Sequence, residues 1–285
     1  MAIQKVGVVG CGLMGSGIAQ LCAQNGVPTI VLEANQELLT KGLDKIKKFL
    51  EGGIQKGKVT PETRDKTLAN LKGTLSHADF KDCDIVIEAV KEDMAVKKDV
   101  FRKLDEVTKP SCILASNTSS LSITEIGAST KRPDRCIGMH FFNPVPIMKL
   151  VEIVRPEITS PETYAAVRAF GETLGKVVIT AKDNPGFIVN LLLVPYLVDA
   201  VRAVENGVAT PEDLDNGMKL GCNHPMGPIE LLDFVGLDTT YYIAEAMYSE
   251  FKDPRYAPPP LLKRMVLAGR HGRKSGRGFY DYTKK

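Results

Sequence analysis

His140 and Glu152 are the side chains in this sequence whose types and spacing most directly suggest proton transfer. His140 ends the apolar run 136–140, an Asn-Pro turn follows at 143–144, and Glu152 lies in the next apolar run, twelve residues on. Strand, turn and strand would bring imidazole and carboxylate together. A carboxylate on one ring nitrogen fixes the tautomer, raises the basicity of the other and stabilises the imidazolium that forms when an alcohol proton is taken. Alcohol oxidation needs such a base. Taken alone, the two residues also fit an internal histidine satisfied by its neighbours and an ordinary ion-pair partner.

A second constellation sits near the start of the chain. Gly10, Gly12 and Gly15 form GxGxxG in VGVVGCGLMGSG, with Leu13 and Met14 between the last two, at the junction of a predicted strand and a predicted helix. The first glycine permits the tight turn, the second lets a pyrophosphate approach the backbone, and the third lets helix and strand pack closely. The helix N-terminus then faces the phosphates. Glu33 closes the second predicted strand, 18 residues after Gly15, where a carboxylate can accept hydrogen bonds from adenosine ribose hydroxyls and repel a 2′-phosphate. The expected cofactor is therefore NAD rather than NADP. Outside the fingerprint, Glu33 would read as an exposed strand-end carboxylate.

These groups need a scaffold, and the hydrophobic pattern supplies one. The runs 5–10, 29–34, 84–90, 111–116, 135–140 and 176–180 read as strands buried on both faces. Between them, 14–25, 36–52, 94–107 and 161–174 carry helical spacing, and Pro61 and Pro161 stand where helices start. Helical crossovers make the strands parallel, at least initially, so the fold class is α/β with a doubly wound, mostly parallel sheet. The turn cluster 183–186 (Asp-Asn-Pro-Gly) divides residues 1–184 from residues 185–285. Beyond it β-branched runs vanish, and 187–206, 210–220 and 228–234 read as helices of an all-helical second domain. A helix containing LLLVPYLVDAV needs burial in a domain core, a subunit interface, or both. The tail GRKSGRGFYDY is basic and glycine-rich and fits either a mobile or a docked terminus.

Composition narrows the function classes. The 285 residues are 44% apolar and 25% charged, enough for two packed domains. No apolar run approaches the roughly 20 residues that cross a bilayer, and the first strand begins at once, leaving no room for a leader; no membrane partner and a cytoplasmic location are expected. Cys11, Cys22, Cys83, Cys112, Cys136 and Cys222 show neither CxxC nor ligand spacing, which favours small core residues in a reducing compartment and no metal. A net charge of +3 without a basic stripe argues against nucleic acid and leaves small molecules as partners.

The stretches GCGLMGSGIA, IEAVKEDMAVKK, SNTSS, GMHFFNPVPIMKLVE and DNPGFIVN, in this order, resemble the 3-hydroxyacyl-CoA dehydrogenase family, especially its bacterial 3-hydroxybutyryl-CoA members. The similarity runs nearly the whole chain. It implies a Rossmann-like NAD-binding domain, an all-helical C-terminal domain that forms a homodimer, and oxidation of the (S)-3-hydroxyl of a short acyl-CoA. It also implies roles for single residues. His140 matches the catalytic histidine and Glu152 its carboxylate. Ser119 matches a serine near substrate and nicotinamide, and Asn190 an asparagine on the substrate. Val90, Glu92, Lys97, Asn117 and Asn143 match positions near the ribose and nicotinamide, with Met14 beside the pyrophosphate turn. Without the resemblance, Ser119 is a turn hydroxyl, Asn190 is satisfied on its own helix, and Glu92 and Lys97 are a solvated charge pair. The stretch 43–59 carries Lys45, Lys47, Lys48, Lys56 and Lys58, which could meet coenzyme A phosphates, Lys56 being the single choice. Related sequences carry a lysine about where Gly52 stands, and an exposed solubilising face fits these lysines too.

Two other readings keep the fold. One replaces the thioester by a small sugar acid, as in the related L-gulonate 3-dehydrogenases. The other is a nucleotide-binding structural protein of the lambda-crystallin kind.

Overall fold

The computed structural model describes residues 2–283. Eight strands form one sheet: β1 (Val6–Val9), β2 (Thr29–Leu32), β3 (Leu71–Thr74), β4 (Ile85–Glu88), β5 (Ile113–Ser116), β6 (Cys136–Phe141), β7 (Leu150–Arg155) and β8 (Val177–Lys182). Their order is β3-β2-β1-β4-β5-β6-β7-β8. Neighbours from β3 to β6 are parallel, β7 runs antiparallel to β6, and β8 is parallel to β7. The order reverses at β1, from which the chain first builds outward to β3 and then crosses to β4. In an open sheet of this kind, ligands meet the carboxyl ends of the strands at that switch.

The central strands are apolar throughout because each of their faces has its own core. Val6 and Val8, Ile85 and Ile87, and Ile113 belong to one buried cluster. Val9, Val86 and Leu114, which point the other way, belong to a second with Phe80, Phe101 and Leu104. The covering helices are α1 (Leu13–Gln24), α2 (Gln36–Gln55), α3 (Pro61–Ala69), α4 (Met94–Val107), α5 (Ile123–Gly127) and α6 (Pro161–Thr173). Local chemistry sets their starts: Asn35, Asp93 and Ser160 accept from backbone N–H groups of α2, α4 and α6, and Pro61 and Pro161 open α3 and α6.

The chain separates into two compact units, one ending at Asn184 and one beginning at Pro185. The second unit holds α7 (Val189–Glu205), α8 (Pro211–Gly221), α9 (Pro228–Val235), α10 (Leu237–Phe251) and α11 (Pro260–Leu267) around Leu197, Val201, Leu232, Leu237 and Leu262. Among the described residues no helix is long and apolar enough to cross a membrane.

Three expectations change, and one left open is decided. The run 176–180 is not buried on both faces: β8 closes one edge of the sheet, has one neighbour, and leaves Val177 60% exposed. At the other edge β3, of sequence LKGT, forms where no strand was expected, because pairing to β2 rather than β-branched composition makes it. Cys222 is exposed rather than in the core, whereas the other five cysteines are buried and all six are unpaired. The tail is docked: Phe279 N and Tyr280 N donate to the two oxygens of Asp233, and the Tyr280 hydroxyl donates to Asp215.

Candidate active site

His140 and Glu152 are direct partners in the antiparallel β6–β7 register. Directly opposed residues of such a pair project from the same face, so the twelve-residue spacing delivers the imidazole onto the carboxylate. Nδ1 of His140 lies 2.6 Å from Oε2 of Glu152, and both side chains are buried, Glu152 completely. Since an ionised carboxylate only accepts, Nδ1 carries the proton and Nε2 is the basic nitrogen of the neutral ring. The tilted ring of Phe142 packs 4.5 Å from the imidazole.

The SNTSS turn follows β5, next to β6. Asn117 Oδ1 accepts from Phe141 N at 2.9 Å, tying the ends of these two strands together. Ser119 is half-buried, and its N–H donates to Glu92 Oε1 at 2.9 Å; Thr118 Oγ1 donates to the same oxygen. Glu92 in turn meets the Lys97 ammonium at 3.2 Å. Burial opposes ionisation of Glu92, but Lys97 and the bonds from Thr118 and Ser119 outweigh it and hold the carboxyl below its usual range. Lys97 is only 1% exposed, so the solvated-pair alternative is corrected. It is buried because a second carboxylate, Glu88 at the end of β4, meets it at 2.7 Å. Glu88 also accepts from Ser116 Oγ at 2.6 Å and Val90 N at 2.7 Å. Glu88 escaped the sequence reading; a carboxylate closing an apolar strand was its only signal.

The glycine loop has the properties its motif demands. Gly10 has φ +93°, and a Cβ there would stand 2.7 Å from the Ala89 carbonyl oxygen. At Gly15 a Cβ would collide with the Gly10 carbonyl, whereas at Gly12 it would meet no protein atom within 4 Å. The chain itself therefore requires the first and third glycines, and the space over the second suits a close-lying pyrophosphate. Gly12 caps α1 without a side-chain hydrogen bond, and the first turn carries no acidic residue, so its N–H groups suit an anion. Leu13 is exposed and Met14 half-buried beside this turn. Glu33 follows β2, and its Oε1 accepts from Cys11 N at 2.7 Å, which places the carboxylate against the glycine loop. Burial pushes the Cys11 thiol up to about 12, so it is inert packing.

Val90 and Asn143 lie just beyond the carboxyl ends of β4 and β6, on the same edge of the sheet as the glycine loop. Asn143 is exposed, and the Asn143–Pro144 peptide is cis. Lys56 is exposed at the C-cap of α2. Asn190 is buried in the first turn of α7, in the second unit. Among the described residues no group of three or more His, Cys, Asp or Glu could hold a metal.

The chain is similar to known proteins over nearly its whole length. Residues 5–184 match the model of the 3-hydroxyacyl-CoA dehydrogenase NAD-binding domain, and residues 186–282 that of the family's C-terminal domain. A 3-hydroxybutyryl-CoA dehydrogenase of Mycobacterium tuberculosis is 53% identical over 283 residues, covering 99% of each chain. The mitochondrial hydroxyacyl-coenzyme A dehydrogenase of Homo sapiens is 42% identical, over 98% of this chain and 91% of its own. The crystal structure of M. tuberculosis FadB2 superposes with a TM-score of 0.98 at 52% identity, over 99% of this chain and all of that one. That of (S)-3-hydroxybutyryl-CoA dehydrogenase PaaH1 from Ralstonia eutropha gives 0.94 at 47%, with 99% and 100% covered. A nicotinamide dinucleotide is thus the cofactor class the first unit takes, and the chain belongs to the 3-hydroxyacyl-CoA dehydrogenase family.

Proposed function

We propose that the enzyme interconverts (S)-3-hydroxybutyryl-CoA and acetoacetyl-CoA, with NAD(H) as the redox partner and His140 as base and acid. The observation that carries this reading is the His140–Glu152 pair at the carboxyl edge of the parallel strands, the edge that also carries the glycine loop. NAD, when bound, supplies the hydride acceptor. Nε2 of His140 takes the proton of the 3-hydroxyl, and in the reverse direction the imidazolium returns it. Glu152 keeps the ring in the productive tautomer and offsets the charge it gains. Ser119, held by Glu92, and Asn190 are proposed as donors to substrate oxygens. Lys97 acts at the cofactor through Glu92, because its own ammonium is buried between two carboxylates. Val90, Asn117 and Asn143 line the strand ends for the ribose and nicotinamide.

NAD is favoured over NADP by Glu33, whose charge beside the glycine loop would repel a 2′-phosphate. Lys56 is proposed for a coenzyme A phosphate, supported by its exposure. Leu192, Leu220 and Tyr242 of the helical unit are exposed, which supports a homodimer through that unit. Six unpaired cysteines support a reducing compartment such as the cytoplasm.

The test is oxidation of NADH and of NADPH by acetoacetyl-CoA, for the wild type and for His140→Ala. NADH-dependent turnover that falls by orders of magnitude in the variant is expected. Turnover with NADPH alone would overturn the role of Glu33. A folded protein that binds NADH but turns over neither would return the sugar-acid and structural readings.

A further inference from the structure

Lys176, just before β8, is 8% exposed, and among the described residues its ammonium has no carboxylate at ion-pair distance. Nζ instead donates to two main-chain carbonyls, of Val145 and of Met148, each at 2.6 Å. Burial pushes this amine down from the usual lysine value. An apolar side chain of similar length would fill the same space without the desolvation cost of an ammonium, so a charge at this position marks carbonyls that need holding.

Both carbonyls belong to the connection between β6 and β7, which leaves His140, carries Asn143 and returns to Glu152. The same connection also rests on α1. Val145 is 1% exposed, and a Cβ added at Gly17 would approach its Cβ to 2.9 Å. The β6–β7 connection is thus held both by Lys176 and by the helix whose N-terminus forms the glycine loop.

We propose that Lys176 is a positioning residue: by gripping Val145 and Met148 it sets the place of Asn143 relative to α1, and with it the seat of the nicotinamide half of the dinucleotide beside His140. The proposal rests on the dinucleotide reading above. It predicts a division of labour within one ligand, because the glycine loop and Glu33, proposed for the pyrophosphate and adenosine, are fixed by their own contacts at Gly10, Gly15 and Cys11, whereas Asn143 belongs to the connection that Lys176 holds.

Lys176→Met should weaken NADH binding by about tenfold, read by fluorescence titration, while ADP-ribose, which lacks the nicotinamide, binds as to the wild type. Lys176→Arg keeps the charge but presents a planar fork to carbonyls placed for an ammonium, so NADH alone should weaken by about threefold. That variant carries the comparison if Lys176→Met does not fold. Equal weakening of NADH and ADP-ribose, or unchanged binding of both, would overturn the proposal. A wild type that binds NADH but does not turn over acetoacetyl-CoA would sink the substrate assignment and leave this binding comparison intact.

Discussion

Glu152 and Asp233 are both completely buried carboxylates, one in each unit, and their partners differ in kind. Glu152 faces Nδ1 of an imidazole, a ring with a second nitrogen that can take up and release a proton. Asp233 accepts from Phe279 N, Tyr280 N and the Tyr282 hydroxyl, at 3.0, 2.9 and 3.1 Å. Nearby, Asp215 accepts from Ile229 N, Glu230 N and the Tyr280 hydroxyl, and burial and this carboxylate push Tyr280 well above the ordinary tyrosine value. Such donors do not exchange protons at neutral pH. The lesson is that burial of a carboxylate does not identify chemistry; the chemical nature of its partner does. The first cluster is the one proposed to pass a proton, and the second fastens the tail onto α8 and α9.

The largest test of that contrast is His140→Gln. Its kcat should fall by about 10²- to 10⁴-fold while thermal melting stays near the wild type. A matching loss of stability would place the histidine in the same structural class as Asp233. Asp233→Asn should behave oppositely, costing about 2–4 kcal/mol in urea unfolding by setting an amide N–H₂ against backbone and hydroxyl donors. Turnover per folded molecule should hardly change at low temperature, and a large kcat loss would blur the division. Tyr280→Phe removes one hydroxyl bond to Asp215 and should cost about 1 kcal/mol, again measured in urea.

The smallest and most discriminating effect is the sign of a pH dependence. Glu92 is held below its usual value, 4.5, so its contribution to stability is present above that pH and is lost as pH falls toward the folded-state value. Asp233 is raised above 3.8, chiefly by burial, so its contribution is present below that pH and is lost as pH rises through the folded-state value. On acidification, wild type should therefore lose stability relative to Glu92→Gln and gain it relative to Asp233→Asn. Denaturant midpoints across pH 3–6 would measure both, and equal signs would refute the contrast.

Much of the scaffold was legible because it depends on short-range pattern. The alternating apolar faces of β1, β4 and β5, the prolines opening α3 and α6, and the glycine loop are local features. The edge strands were less legible for a related reason: β3 and β8 depend on who pairs with them, so β3 went unread and β8 was read as buried on both faces. In the site, His140 and Glu152 stood out because a hairpin-like return converts sequence spacing into register. Glu88 and Lys176 did not: Lys176 acts on atoms 28 and 31 residues away, and Glu88 joins the nearby Lys97 to Ser116, 28 residues on.

The sequence by itself determined the doubly wound class, the dinucleotide loop and the histidine–carboxylate pair, because a tight turn, a helix start and a strand return are each written in a few neighbouring residues. Only the tertiary structure decided that Lys97 is buried between two carboxylates, that the tail is fastened by Asp215 and Asp233, and that the Lys176 ammonium holds the connection after His140 through two carbonyls. Those outcomes turn on which distant groups share one dry space, where a charge must find partners or stay in water, and that is a property of packing.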